Sequence, residues 1–151
     1  GEIMIGFCFG WLPVASAYYI QAASIAPMIH WIWLPIGFSI FNVILLNEFP
    51  DYDADVATGK KNLLYRIGKE KGKAVYIVFN LLTCATMLMS PCFGVPFRVI
   101  YFYLPFAAVA LFIACQVYRN RHEDAKRLEF LCGLNIAVNI GTSLAFMLAF
   151  I

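Results

Sequence analysis

The carboxylates of this chain are concentrated at one place, directly after a long apolar run. Glu48, Asp51, Asp53 and Asp55 are four of its nine acidic residues. Asp51 and Asp55 stand four positions apart, and Asn47 stands another four before Asp51. On a helix these three would share one face, with about 6 Å of rise between neighbours. Oxygen donors select a hard cation, and Mg²⁺ usually takes one or two carboxylates together with water and substrate phosphates.

Cations follow the carboxylates along the chain. Lys60, Lys61 and Arg66 lie within eleven positions of Asp55 and are suited to binding phosphate oxygens. Carboxylates for a metal beside cations for phosphate, at the surface of a membrane, suggest a lipid diphosphate as the substrate. The competing interpretation is a solvated loop, in which Glu48 meets solvent or a lysine. A D-x-x-x-D pattern alone does not decide between the two.

The composition is that of a membrane protein. Apolar residues make up 62% of the chain and charged residues 13%, whereas a soluble domain carries about 25% charged residues. The mean hydropathy is +0.77. A net charge of +2 gives no reason to expect a nucleic acid partner. The five cysteines show no Cys-x-x-Cys or Cys/His spacing, so neither a thiolate metal site nor a disulfide framework is expected.

Five apolar segments approach the length of about 20 residues that a helix needs to cross a bilayer. The predicted fold class is therefore all-α, a polytopic membrane helix bundle with five transmembrane helices. The expected segments are about 3–25, 30–46, 74–89, 99–118 and 128–151. Prolines inside three of them predict kinks, since neighbouring helices can satisfy the freed carbonyls.

The stretch 47–73 is predicted to be a long loop rather than part of a membrane helix. Leu63, Leu64 and Ile67 have helical spacing, with Gly68 as a C-cap, which predicts a short amphipathic helix on the membrane surface. Pro50 disfavours helical geometry for the residue before it. We therefore expect Asn47 to end the second membrane helix, with Asp51 and Asp55 in a new turn.

The basic residues predict which side of the membrane the loop occupies. Ten of the eleven fall in 47–73 or in 119–127, and Arg98 is the exception. A five-helix zigzag puts both stretches on one side, which the positive-inside rule makes cytoplasmic. We expect a multi-pass protein of a bacterial or archaeal cell membrane, with the aspartates facing the cytoplasm.

A longer string is more specific than the spacing of the aspartates. Residues 47–68, NEFPDYDADVATGKKNLLYRIG, resemble the second aspartate-rich motif of the UbiA superfamily of intramembrane prenyltransferases, roughly N-x-x-x-D-x-x-x-D-x-x-x-G-K-x-T-L-x-x-R-x-G. Asn62 stands where the family usually has Thr or Ser, a change that its polar contacts should tolerate. Residues 10–21, GWLPVASAYYIQ, resemble a G-x-L-x-V-x-G-x-Y-Y-x-Q stretch of the menaquinone-type branch, with Ser16 in place of a glycine.

The resemblance implies a nine-helix fold around a central cavity, with aspartate motifs on cytoplasmic loops after the second and sixth helices. This chain would supply helices five to nine, so that residues 1–151 form the C-terminal part of a single transmembrane domain. The chain starts without Met and carries one aspartate motif. We therefore expect it to hold half an active site, completed by the N-terminal half of the same protein.

The reaction that the resemblance implies is prenyl transfer from a polyprenyl diphosphate to an aromatic acceptor, with Mg²⁺ as cofactor. The matching positions make Asp51 and Asp55 the metal ligands and Asn47 a support for metal or diphosphate. The diphosphate contacts would be Lys60, Lys61 and Arg66.

Polar and aromatic residues inside the apolar segments are weaker candidates for the pocket that holds the acceptor or the prenyl tail. Tyr18, Tyr19, Gln21 and Asn42 are the four. For the tyrosines ordinary packing is the competing interpretation, and for Gln21 and Asn42 it is a hydrogen bond between helices. Asn80, Asn135 and Asn139 are expected to make such bonds.

The menaquinone-type branch, whose acceptor is 1,4-dihydroxy-2-naphthoate, is the preferred assignment. The 4-hydroxybenzoate prenyltransferases and the glycerol-ether lipid enzymes share the same metal motif and stay open. A transporter or lipid-binding module with a cation site is the alternative from another class. Transport predicts ionisable groups near mid-membrane, whereas the carboxylates here lie at segment ends or in loops.

Overall fold

The computed structural model describes residues 1–120 and 124–151; Arg121, one of the basic residues counted above, lies outside them. Within these ranges the chain forms five α-helices, each long and apolar enough to cross a membrane. A short 3₁₀ helix, Ser90–Phe93, follows the third. The predicted all-α bundle of five membrane helices is confirmed. The helices are α1 Glu2–Ala22, α2 Ile29–Thr58, α3 Leu63–Met89, α4 Val99–Tyr118 and α5 Ala125–Phe150.

The central helix is α2, which packs against α1, α3 and α5, while α4 packs against α3 and α5. Lys73, near the start of α3, donates to Asn120 Oδ1 just after α4 at 2.6 Å. At the other end of the bundle, Arg98 Nε donates to the carbonyl oxygen of Ala149 at 2.6 Å. Neighbouring helices therefore alternate in direction. We call the end with the α2–α3 connection the motif end and the other the opposite end.

The buried core has an apolar part at each end of the bundle, with buried amides between them. At the motif end, Leu45, Leu46 and Leu64 are fully buried. Between the two parts, Asn80 Nδ2 donates to the carbonyl oxygen of Ala110 at 3.2 Å, and Tyr76 Oη donates to Asn135 Oδ1 at 3.1 Å. These bonds join α3 to α4 and α3 to α5, which confirms the interhelical role expected for Asn80 and Asn135. The same role was expected for Asn139, but its Nδ2 has no hydrogen-bond partner among the described residues.

Glycines let α1 approach α2 closely. A Cβ at Gly10 would lie 2.8 Å from Gly37 Cα, and one at Gly6 would lie 3.2 Å from Gly37 O. Small residues four positions apart let helix backbones meet in this way inside a bilayer. Any larger residue at Gly10 must push the two backbones apart.

The structure corrects the predicted boundary of the second membrane helix. α2 continues through Pro50 to Thr58, and its 30 residues span about 45 Å, more than the bilayer core of about 30 Å. Pro50 has no N–H to donate to the carbonyl of Leu46, but Cys132 Sγ of α5 lies 3.8 Å from that oxygen. A neighbouring helix thus compensates for the proline, as membrane bundles allow. The expected new turn is wrong: Asn47, Asp51 and Asp55 lie on one continuous helix.

Most of the predicted loop 47–73 is helical, and only a short connection, 59–62, separates α2 from α3. Gly59 has φ 69°, a left-handed conformation that glycine adopts at helix ends without strain. α3 begins at Leu63 and is interrupted at Gly68, where φ is 80° and ψ is 160°. The short helix before Gly68 is confirmed, whereas the third membrane helix follows it directly instead of starting near residue 74.

Candidate active site

The aspartates of the motif lie on the part of α2 nearest the connection to α3. The continuous helix puts Asp51 and Asp55 one turn apart on the same face. Asp51 is exposed, whereas Asp55 is buried, with 7% of its surface exposed. One carboxylate is thus open to a ligand, and the other is held by the protein.

Asp55 is held by the connection that follows it. Asn62 Nδ2 donates to Asp55 Oδ2 at 2.6 Å, and Lys60 Nζ lies 3.3 Å from Asp55 Oδ1. The backbone N–H of Lys60 also donates to the carbonyl oxygen of Asp55 at 3.0 Å. The left-handed turn at Gly59 directs the chain back onto Asp55, so the predicted diphosphate contact Lys60 and the predicted metal ligand Asp55 are neighbours in space. Asn62 makes the polar contacts expected of it.

Glu48 is a residue of the motif end that the motif pattern did not indicate as part of the site. It is buried, whereas contact with solvent or a lysine was expected, and its Oε2 accepts a hydrogen bond from the backbone N–H of Leu64 at 3.0 Å. A carboxylate is stabilised at a helix N-terminus by the free N–H groups and the helix dipole. The signal in the sequence was an acidic residue one position from the motif, but only the fold shows which helix end it meets.

The remaining cations differ in their surroundings. Lys61 and Arg66 are exposed, as free phosphate-binding groups must be. Lys69, which the sequence analysis did not select, lies 3.4 Å from Asp53 Oδ1 and 4.7 Å from the centre of the Tyr52 ring. Exposed ion pairs of this kind contribute little to stability, so Lys69 is also available to an anionic ligand.

Asn47 faces a cleft of about 650 Å³ between α2, α3 and α5. The cleft is also lined by Asp53, Lys69 and Glu129. Asn47 therefore lies at the edge of the face that carries Asp51 and Asp55, between that face and the cleft. The structure keeps it beside the motif without burying it.

The oxygen donors present fit Mg²⁺ as part of a site. Two carboxylates one helical turn apart match the one or two that Mg²⁺ usually takes. Across the residues that the structure describes, no group of three or more His, Cys, Asp or Glu side chains is placed to hold a metal. Asp51 and Asp55 would thus need further ligands, and a diphosphate and water are the kinds that Mg²⁺ recruits.

A second candidate region lies at the opposite end, between α1, α2 and α5. This apolar groove has a volume of about 460 Å³. Tyr18 and Gln21 line it, whereas Tyr19 is exposed outside it. Gln21 Nε2 bonds to the carbonyl oxygen of Ala17 in its own helix at 3.2 Å, so the expected bond to another helix is absent from the described contacts. Other lining residues are Val14, Ala17, Ile29, Ile32, Ile36, Phe146 and Phe150.

The groove and the motif are well separated. From Ile36 to Asp51 the helix rises by about 22 Å. Asn42, the fourth residue considered for a pocket, lies in neither region. It is 2% exposed in the core, beside Asn80 and Asn135, and within the described chain its Oδ1 has no hydrogen-bond partner.

Comparisons with known proteins give the class of this one. The model of the UbiA prenyltransferase family matches residues 1–139, and the chain belongs to that family. The bundle of apolar helices with an aspartate motif at one end is thus the membrane fold of a prenyltransferase family, and the resemblance inferred from the motif is confirmed.

Two curated relatives belong to the naphthoate branch. The chain is 26% identical to 1,4-dihydroxy-2-naphthoate octaprenyltransferase of Escherichia coli over 58% of its length and 29% of the relative's. It is 27% identical to 2-carboxy-1,4-naphthoquinone phytyltransferase of Synechocystis sp. over 93% of its length and 45% of the relative's. The chain thus spans less than half of these relatives. No solved structure is significantly similar to it.

Proposed function

We propose that this chain is the motif-bearing part of a Mg²⁺-dependent membrane prenyltransferase that attaches a polyprenyl group to a naphthoate-type aromatic acceptor. The observation that carries the proposal is the continuous α2 helix, which presents Asp51 and Asp55 on one face at the end of a membrane bundle. Family membership and the two relatives support the reaction and the branch.

Residues at the motif end would bind the diphosphate of the donor. Asp51 and Asp55 would hold Mg²⁺, and Asn47 would support the metal or the diphosphate beside them. The bound metal supplies positive charge that stabilises the leaving diphosphate. Lys60, Lys61 and Arg66 would contribute cationic contacts to the phosphate oxygens.

The rest of the reaction requires an apolar environment. The carbon–oxygen bond of the donor breaks, and its electron pair leaves with the diphosphate. A new carbon–carbon bond forms to the acceptor ring, which then loses a proton. The groove that Tyr18 and Gln21 line lies at least about 22 Å from Asp51 along α2. These two residues therefore suit the far end of the prenyl tail better than the reacting acceptor. The other half of the protein would complete the cavity.

The test uses the full-length protein in membranes with Mg²⁺, labelled polyprenyl diphosphates and a panel of acceptors that includes naphthoates and 4-hydroxybenzoate. Asp51→Asn and Asp55→Asn should each lower turnover by more than the roughly 10- to 100-fold that loss of a group supporting a metal ligand costs, because each replaces a metal-binding carboxylate. Asp53→Asn is the matched control, since Asp53 is an exposed aspartate of the same helix, and should retain turnover. Wild-type turnover in both Asp51 and Asp55 variants would refute the metal role.

We further propose that the motif end faces the cytoplasm, because ten of the eleven basic residues lie in 47–73 or 119–127. In a cysteine-free background, Lys61→Cys at the motif end should react with a membrane-impermeant thiol reagent only after cells are opened. Phe97→Cys, at an exposed position of the opposite end, should react in intact cells. The reverse pattern would show that the bundle is inserted the other way round.

A further inference from the structure

Two side chains outside the predicted metal ligands connect the start of α3 to the aspartate-bearing part of α2. Glu48 accepts from the backbone N–H of Leu64 at 3.0 Å. Asn62 Oδ1 accepts from the backbone N–H of Tyr65 at 2.8 Å. The first N–H groups of a helix have no partner within the helix. Here side chains satisfy those of Leu64 and Tyr65, one from α2 and one from the N-cap of α3 itself.

Apolar packing also holds the start of α3 against α2. Leu64, whose N–H meets Glu48, is fully buried in the cluster that also contains Phe49, the neighbour of Glu48. A polar contact and an apolar contact thus hold the first turn of α3 against α2 from adjacent positions. The position of Asn62, directly before that turn, is therefore determined by α2.

Asn62 has a second contact that capping does not require. Its oxygen caps α3, and its nitrogen donates to Asp55 Oδ2 at 2.6 Å. The Asp55 side chain is 10% exposed, so few other groups can orient its carboxylate. Because hydrogen bonds to metal-binding carboxylates fix their orientation and tune their affinity, this contact bears directly on the proposed metal site.

We propose that Glu48 and Asn62 are positioning residues for Asp55: Glu48 sets where α3 begins, and Asn62 at that point orients the Asp55 carboxylate toward the metal and diphosphate. The inference rests on the proposed function. It assigns a role in metal binding to a buried carboxylate that is not itself a ligand, and to the residue at which the aspartate motif departs from the family pattern.

The two contacts of Asn62 can be separated by substitution. Asn62→Asp keeps a good N-cap acceptor but removes the donor to Asp55 and adds a negative charge beside it. Asn62→Thr keeps both a cap acceptor and a hydroxyl donor, and Asn62→Val, of the same shape as Thr, keeps neither. Glu48→Gln keeps an acceptor for the Leu64 N–H, whereas Glu48→Ala removes it.

The experiment measures two quantities on purified full-length protein in lipid nanodiscs. The first is the Mg²⁺ concentration for half-maximal turnover; the second is the rise in melting temperature caused by Mg²⁺ with inorganic pyrophosphate. Asn62→Asp, Asn62→Val and Glu48→Ala should raise the half-saturating Mg²⁺ concentration about 10- to 100-fold, the usual effect of losing a group that supports a metal ligand. They should also reduce the thermal shift. Asn62→Thr and Glu48→Gln should stay within about threefold of wild type.

A substitution at a second helix cap serves as a control that distinguishes a positioning role from an effect on stability alone. Asp124 caps α5 by accepting from the backbone N–H of Lys126 at 3.1 Å, remote from the motif in sequence. Asp124→Ala should lower the melting temperature of the unliganded protein without changing its Mg²⁺ dependence. If Asn62→Asp and Glu48→Ala behave like Asp124→Ala, the positioning role is wrong. If wild type shows neither turnover nor a shift with Mg²⁺ and pyrophosphate, the proposed function itself fails.

Discussion

The motif end and the apolar groove both use α2, but they are built in different ways. At the motif end, the contacts that fix Asp55 come from residues within seven positions of it, Lys60 and Asn62. The groove is formed by α1, α2 and α5, and its α5 lining residues are more than 100 positions from those of α1 and α2. The charged residues around Asp55 are thus brought together by a short stretch of chain, whereas the apolar groove depends on packing between helices that are distant in sequence.

The difference has a physical basis. A carboxylate needs specific partners at hydrogen-bond distance, and a short turn supplies them at little cost in chain entropy. An apolar surface needs only shape and area, so any helices that pack with a gap between them can provide it. We therefore expect substitutions in the two regions to affect separate properties, which the following predictions test in order of decreasing effect.

The largest effect is expected at the α1–α2 contact that forms one wall of the groove. Gly10→Ala should lower the unfolding free energy of the full-length protein by about 1 to 3 kcal/mol, because the added methyl forces two backbones apart. Gly133→Ala is the matched control, since a Cβ there meets nothing within 4 Å in the described chain. That control should be neutral or stabilising by up to about 1 kcal/mol. Denaturant titration in mixed micelles measures both, and equal effects would contradict the close contact.

The next effect concerns the length of the prenyl donor. Ala17→Phe would fill the groove, and the KM for a long-chain donor should rise about tenfold, equivalent to about 1.4 kcal/mol of lost apolar contact. The KM for a short-chain donor and the Mg²⁺ dependence should not change. Ala108→Phe, on an exposed position of α4, should alter neither donor. An equal rise in KM for donors of every length would show that the groove does not bind the far end of the prenyl tail.

The smallest effect should come from the contact that supports α2 at Pro50. Cys132→Ala removes the donor near the Leu46 carbonyl, whereas Cys132→Ser also loses the sulfur but retains a hydroxyl. The Ser variant should be more stable than the Ala variant by about 0.5 to 1.5 kcal/mol, the net value of one hydrogen bond. Denaturant titration can resolve the pair. Equal stability of the two variants would show that α2 passes Pro50 without help from α5.

Predictions from the sequence succeeded where many residues carried the same pattern. They failed where a single residue was compatible with more than one local structure. The five helices followed from apolar length, and the short helix ending at Gly68 followed from spacing and a glycine. Pro50 predicted a break that the structure lacks, because Cys132, distant in sequence, meets the carbonyl that the proline leaves free. The identity of a proline does not reveal whether such a partner exists.

For single polar residues, too, the sequence did not show whether the side chain is buried or exposed. Glu48 was expected to point off the motif face and to meet solvent or a lysine, yet it is buried against the start of α3. Asn42 was considered for a ligand pocket and lies in the core instead. In each case the residue type was compatible with several environments, and the packing of a second helix decided between them.

The sequence by itself determined the class of the molecule: the number of membrane helices, the end at which charge gathers, and the spacing of two carboxylates in a family motif. These are properties of composition and local order, which hydropathy and helical periodicity express directly. Only the tertiary structure decided that α2 is continuous, which carboxylate is held, and where an apolar groove opens. Those depend on which surfaces of distant helices meet, because close packing and buried polar pairing are satisfied between elements rather than within them.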